Sequence, residues 1–121
     1  MAKHILVVDD EAYLRDVQVL VLGAAGYAAT ALETATEALH RLGEIRPDLI
    51  VLDVSLPGID GRAFLKRLRA SALWRHLPVI LSSGLPADEI GSLSEPDTEV
   101  LGKPFSDRAL LARVRSLIGE A

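Results

Sequence analysis

The chain has 121 residues, half of them hydrophobic and a quarter charged, which suits a single domain with a sizeable aliphatic core and argues against disorder. It has no cysteine, which excludes a disulfide framework, a thiol nucleophile and a cysteine zinc site, and fits a cytoplasmic location. Its formal charge of −4 comes with no run of Lys and Arg, no stretch near the ~20 apolar residues of a membrane span and no signal-peptide pattern, so neither direct nucleic-acid binding nor a membrane role is expected.

Ile5 to Val8 is a continuous apolar run of the kind that forms a strand buried on both faces. Glu11 to Ala25 reads as a helix with Tyr13, Leu14, Val17, Leu20, Val21 and Ala24 on its apolar stripe, stopped by Gly26. Val19 and Leu22 fall off that stripe. Tyr27 to Leu32 is a weaker strand. Thr34 and Glu37 have capping-box spacing and open a second helix through Ala38, Leu39, Leu42 and Ile45. Asp48 to Asp53 is the clearest strand and ends on a carboxylate; Pro57, Gly58 and Gly61 punctuate the loop behind it. Arg62 to Ser71 forms a third helix with Phe64, Leu65 and Leu68 inside. Pro78 opens a fourth strand over Val79 to Ser82. The stretch from Leu85 to Pro96 is rich in breakers and leaves room only for a short helix near 87–93. Glu99 to Leu101 is a brief fifth strand. Ser106 caps a last helix that buries Leu110, Leu111, Val114, Leu117 and Ile118 and exposes Arg108 and Arg115.

Strands alternating with helices predict an α/β fold, a parallel sheet with helices on both faces. In such sheets the ligand site lies beyond the carboxyl ends of the strands. Strand direction alone therefore brings Asp9, Asp10, Asp53, Ser82 and Ser83 to one edge. Carboxylates crowded there repel: two unit charges ~4 Å apart cost about 4 kcal/mol at an effective dielectric near 20. A cation relieves that cost, and an all-oxygen site suits Mg²⁺ or Mn²⁺. Lys103, just after the fifth strand, can reach the same crevice as a point charge, and Ser83 offers a hydroxyl. Metal, ammonium and hydroxyl together suit a phosphoryl group in transfer, with a carboxylate nucleophile forming an acyl phosphate.

These residues carry a family resemblance. Asp9-Asp10-Glu11 after a hydrophobic strand, Asp53 ending the third strand, Leu56-Pro57-Gly58-Ile59-Asp60-Gly61 behind it, Ser83 after Pro78-Val79-Ile80-Leu81-Ser82, and Lys103-Pro104-Phe105 resemble the receiver domains of response regulators in two-component signalling. No one motif is decisive, but all of them in this order span essentially the whole chain. The resemblance implies a flavodoxin-like, doubly wound five-stranded parallel sheet in the order 2-1-3-4-5, and one receiver domain over 1–121 without an output domain in these residues. It implies that Asp53 accepts the phosphoryl group. Asp10, Asp53 and the backbone carbonyl of Ser55 would hold Mg²⁺ or Mn²⁺, with Asp9 acting mainly through water. Ser83 and Lys103 would each bind a phosphoryl oxygen. The partner would be a sensor histidine kinase or a histidine phosphotransfer protein, with a homodimer on phosphorylation as a further expectation. Catalysis would be limited to the domain's own phosphorylation and dephosphorylation.

Blander readings apply to most of these residues taken singly. An acidic pair after a strand is more often a solvated loop, Ser83 alone is a turn serine, and Pro57, Gly58 and Gly61 are loop geometry. The register of Asp9 and Asp10 with Asp53 and Lys103 reverses the first of these. His4, His40 and His76 do not cluster and read as surface or strand-end residues. Trp74 reads as packing the turn before the fourth strand. The rival functions are a receiver-like interaction module that is never phosphorylated, a phosphatase using an aspartyl phosphate, and a nucleotide-binding protein. Haloacid-dehalogenase-type enzymes need an Asp two residues beyond the nucleophile, where this chain has Ser55. No Gly-rich phosphate loop follows the first strand.

Two positions depart from the family pattern. Many receivers carry Tyr or Phe where this chain has Val100, which has no ring to move as the usual aromatic switch does. Leu85, which with Ser55 would flank the phosphoryl group, is apolar and cannot orient an attacking water. The phosphorylated form should therefore hydrolyse slowly. Leu85→Glu should shorten the phosphoryl lifetime in a discontinuous dephosphorylation assay; an unchanged lifetime would contradict this reading.

Overall fold

The computed structural model describes residues 2–56, 58, 60–84 and 97–121. Five strands form one parallel sheet: β1 (His4–Val8), β2 (Ala28–Leu32), β3 (Leu49–Asp53), β4 (Val79–Ser83) and β5 (Thr98–Gly102). Their order is β2-β1-β3-β4-β5, as expected from the sequence. Four helices lie among the described residues: α1 (Ala12–Ala24), α2 (Ala35–Ile45), α3 (Gly61–Ala70) and α4 (Asp107–Ile118). The helix expected near 87–93, and Leu85 with it, lie outside the described residues.

The central strands are apolar along their buried lengths, save Asp53, Ser82 and Ser83 at their carboxyl ends, because both faces of the sheet are covered. Side chains alternate between two layers. Ile5, Val7, Leu49 and Val51 pack with Leu22 of α1 and with Leu110 and Val114 of α4. Leu6, Val8, Ile50 and Leu52 pack with Ala38 and Leu42 of α2 and with Phe64 and Leu68 of α3. Three helix starts are capped by side chains. Thr34 accepts from the Glu37 amide, Asp60 from Ala63 and Ser106 from Ala109; each such cap typically stabilises by ~1 kcal/mol. Gly26 ends the first helical segment with φ +96°, a conformation glycine adopts without a Cβ penalty.

The first helix is rotated from its expected orientation. Tyr13 and Leu20 are 76% and 72% exposed, whereas Leu22 and Gln18 are buried. The inward face runs through Leu14, Val17, Gln18, Val21, Leu22 and Ala25, a regular i, i+3, i+4 series. A polar residue in the middle of that series displaces the apolar stripe when hydrophobic residues alone are counted. Tyr27 also differs from expectation. It lies just before β2, buried, and its hydroxyl donates to the Gly119 carbonyl at 2.6 Å. Burial, then the nearby Glu120 carboxylate, raise its pKa above the usual 10.0, with Arg115 opposing. With Lys3 Nζ on the Ile118 carbonyl, it fastens the end of α4 to the sheet.

Arg69, at the end of α3, binds the connection into β4. Its guanidinium donates to the carbonyls of Arg75 (3.1 Å), Leu77 (2.7 Å) and Asp97 (3.0 Å) and to Thr98 Oγ1 (2.9 Å). Trp74 packs at the margin of the α2/α3 layer, as expected. His4 lies at the start of β1 against Thr30 Oγ1 (2.6 Å), His40 is exposed, and His76 pairs with Asp97 at the surface (3.2 Å).

One glycine sets the position of the strand that ends on Asp53. The Gly61 amide donates to the Val54 carbonyl at 3.0 Å. A Cβ on Gly61 would stand 2.7 Å from Val54 Cα and 2.9 Å from the Asp53 carbonyl oxygen, both backbone atoms that cannot swing aside. Gly61→Ala should destabilise the domain by about 1–3 kcal/mol in urea unfolding. Unchanged stability would show that the first turn of α3 yields without strain.

Candidate functional site at the carboxyl edge of the sheet

Asp9 directly follows β1. Its amide donates to the Leu32 carbonyl at 3.2 Å, which holds it to the end of β2. One carboxylate oxygen, Oδ1, accepts the Glu11 amide at 3.0 Å, and the Asp9 backbone carbonyl accepts Arg15 Nη1 at 2.8 Å. Asp9 is buried, while its neighbour Asp10 is exposed. Asp53 ends β3 and is only 5% exposed. Its Oδ1 accepts the Ser55 amide at 3.0 Å.

Lys103 enters from β5. Its Nζ stands 3.2 Å from Asp53 Oδ2 and 3.4 Å from Asp9 Oδ2. The Lys103 amide donates to the Ser83 carbonyl at 2.7 Å, so the β4 and β5 ends that carry Ser83 and Lys103 are joined through the backbone. The Lys103–Pro104 peptide bond is cis. Ser83 is buried at the end of β4. Burial alone would lower the Lys103 pKa, but the Asp53 and Asp9 carboxylates outweigh it and carry it above its ordinary 10.5. The ammonium is thus charged at neutral pH. A raised folded pKa means that the pairing contributes fully below the unfolded value and is lost only as pH rises through the folded one.

Asp9, Asp10 and Asp53 each offer a carboxylate oxygen, and these oxygens lie within 4.8 Å of one another. The donor set is all oxygen, with no imidazole or thiolate. It fits a hard divalent cation of the Mg²⁺ or Mn²⁺ kind and not a nitrogen- or sulfur-ligated metal. One lysine counters three carboxylates, which leaves net negative charge for a cation to neutralise. Asp53 is also placed for nucleophilic work. Ser55 N–H orients one oxygen, and Lys103 holds the other in a partly dry crevice.

Of the residues singled out from the sequence, Asp9, Asp10, Asp53 and Lys103 meet at one point, and Ser83 lies on the adjoining strand end. Ser55 is exposed in the turn after Asp53, where its amide contacts the carboxylate. Val100 is half-buried against the α2/α3 layer. Arg15 escaped the sequence reading. It sits six residues past Asp9, a spacing that carries the side chain back over the start of the helix, and it fixes the carbonyl between Asp9 and Asp10. The spacing alone cannot distinguish that contact from an exposed first-turn arginine.

The comparisons with known proteins agree with this geometry. Residues 5–115 match the response regulator receiver domain family. The phosphate regulon transcriptional regulatory protein PhoB of Klebsiella pneumoniae is 37% identical over 120 residues, which are 98% of this chain and 52% of that protein. The chain thus spans about half the length of the curated relatives it matches. The Vibrio cholerae chemotaxis protein CheY4 superposes with a TM-score of 0.88 at 26% identity, covering 98% of this chain and 100% of the other. The receiver domain of sensor histidine kinase PA1611 from Pseudomonas aeruginosa PAO1 superposes with a TM-score of 0.86 at 26% identity, covering 99% and 100%; that structure has a magnesium ion coordinated in its active-site cleft. The fold, the acidic edge and these matches agree: the chain belongs to the response regulator receiver domains of two-component systems.

Proposed function

We propose that Asp53 accepts a phosphoryl group from a phosphohistidine on a sensor histidine kinase or histidine phosphotransfer protein, and that this modification is the signal the domain carries. The observation that supports it most directly is the Asp53 carboxylate, buried at a strand end, oriented by the Ser55 amide and paired with Lys103 at 3.2 Å. An Asp53 oxygen attacks phosphorus. The phosphorus–nitrogen bond breaks, its electron pair stays on the imidazole, and an acyl phosphate forms on Asp53. Lys103 Nζ and the Ser83 hydroxyl take two of the phosphoryl oxygens and oppose the charge that develops on them. Hydrolysis of the acyl phosphate restores the carboxylate. No other substrate is turned over.

Asp10, Asp53 and the Ser55 carbonyl would hold Mg²⁺ or Mn²⁺, with Asp9 acting through water. Bound there, the cation would neutralise the carboxylates and bring an incoming phosphoryl oxygen to Asp53. The magnesium in the PA1611 receiver domain supports this assignment by likeness. Arg15 and the Glu11 amide keep the Asp9–Asp10 segment in place for it. Phosphorylation adds negative charge beside Lys103 and shifts the domain toward a signalling conformer. The β4–β5 backbone tie between Ser83 and Lys103 offers that shift a route that needs no ring at Val100. A cytoplasmic setting and a phosphorylation-dependent homodimer belong to the same proposal. Among the described residues no helix is long and apolar enough to cross a membrane.

Acetyl phosphate with Mg²⁺ should add the mass of one phosphoryl group to the wild type and none to Asp53→Asn, read by intact mass spectrometry. A wild type that gains no mass, or an Asp53→Asn variant that gains it equally, would overturn the proposal. Lys103→Met separates the roles of charge. It should bind Mg²⁺ several-fold more tightly, because a competing cation is gone, yet phosphorylate on the order of a hundredfold more slowly. In the wild type, the stability contributed by Lys103 should persist through neutral pH and fall only above about 10.5. Weaker Mg²⁺ binding in Lys103→Met would contradict the assignment.

A further inference from the structure

Residues 61–76 hold five Lys or Arg and no Asp or Glu, in a chain whose net charge is −4. These cations are spread along α3 and the turn behind it, so they make no run in sequence. Arg69 is occupied: its guanidinium donates to the carbonyls of Trp74, Arg75 and Leu77, and across to Asp97 and Thr98. The other four, Arg62, Lys66, Arg67 and Arg75, are exposed. Among the described residues none of these four has an ion-pair partner, whereas Arg41, Arg113 and Arg115 each have a carboxylate, at 2.9, 2.7 and 3.3 Å. Helix stability does not account for them. Arg62 stands in the first turn of α3, where the helix dipole disfavours a cation. Lys66 follows it at the i, i+4 spacing, at which like charges repel. The turn that Arg69 fixes also presents Leu73, 83% exposed, close to Arg75.

We infer that this face docks a short acidic segment of a partner protein, whose carboxylates pair with Arg62, Lys66, Arg67 and Arg75 and whose one apolar residue covers Leu73. Charge complementarity sets the sign of the partner, and the arginine fork suits a carboxylate. The width of the face sets its class. A flat anionic membrane resting on α3 would also rest on α2, because the two helices cover the same layer of the sheet. There Glu37 and Glu44 are exposed, and Arg41 is already held by Glu44. A nucleic-acid duplex would meet the same two glutamates. A single strand needs aromatic platforms for its bases, and Trp74 is instead packed into the margin of the core. A peptide is narrow enough to follow α3 alone, whose ten residues run ~15 Å. The Arg69 contacts hold the turn in place before a partner arrives, which lowers the ordering cost of docking. This surface does not rest on the phosphoacceptor reading.

The probe is a short glutamate peptide with one central leucine, beside a lysine analogue and an alanine-centred analogue. In amide NMR without Mg²⁺, the glutamate peptide should give saturable shifts confined to residues 62–75, and the lysine analogue none. Binding should weaken about tenfold between about 0.02 and 0.2 M salt, because exposed pairs are screened. Arg67→Glu combined with Arg75→Glu should weaken it by about tenfold or more, since two attractions become repulsions. Leu73→Ala should weaken it about two- to fivefold. In that variant the leucine- and alanine-centred peptides should bind alike, as a double-mutant cycle requires of a direct contact. These substitutions alter only exposed side chains, so amide spectra outside residues 62–75 should match the wild type. No saturable shift, equal binding of the lysine analogue, undiminished binding to the charge-reversed variant, or shifts centred on another surface would each overturn the proposal. Tighter binding of phosphatidylglycerol vesicles or single-stranded DNA than of the peptide would overturn it as well. None of these readouts involves phosphorylation, so a failed acetyl phosphate experiment leaves them intact.

Discussion

Lys103 holds together an arrangement that repulsion would otherwise open. Two buried carboxylates, from Asp9 and Asp53, reach the same strand edge, with Asp10 beside them. Each alone is an ordinary strand-end acid; together they are a concentration of like charge. The ammonium stands between them, 3.2 Å from Asp53 Oδ2 and 3.4 Å from Asp9 Oδ2, and offsets part of their repulsion. It also leaves the cluster short of neutrality, an imbalance that a hard divalent cation would offset.

The sheet exists in this form to bring those charges together. β1 and β3 are neighbours, yet their connections run to opposite sides, so a crevice opens at their carboxyl ends. Apolar layers on both faces make the register stiff. Slipping one strand by a residue would turn Leu6 and Val8, or Ile50 and Leu52, into the wrong layer. Gly61 lets α3 begin directly against the backbone of Asp53 and Val54. Arg69 ties the end of α3 to the starts of β4 and β5, so the strand bearing Lys103 is anchored at the far edge as well. The position of a single ammonium is thus determined by contacts at both ends of the sheet.

Much of this was legible in the residues. Continuous aliphatic runs gave the strands, because burial on both faces leaves no polar alternation. Thr34 and Ser106 marked helix starts through local chemistry. The acidic edge followed from strand direction, since parallel strands put their carboxyl ends together. What escaped depends on contacts far apart in sequence. The orientation of α1 was misjudged because Gln18, a polar residue, occupies the centre of its buried face. Tyr27 is buried by a bond to Gly119, and Arg69 reaches Asp97 and Thr98; no local pattern encodes either pairing. Arg15 is visible as a basic residue on the first helix, but its contact with the Asp9 carbonyl needs the fold.

A fluorine NMR titration with beryllofluoride tests the account most directly, since this anion stands in for a phosphoryl group on a carboxylate. With Mg²⁺ present, the wild type should give bound fluoride resonances that saturate at one complex per chain. These should need the divalent cation and be lost in Asp53→Asn. Bound resonances that persist in Asp53→Asn, or none in the wild type with Mg²⁺, would contradict the assignment of Asp53 as the group around which this site is built.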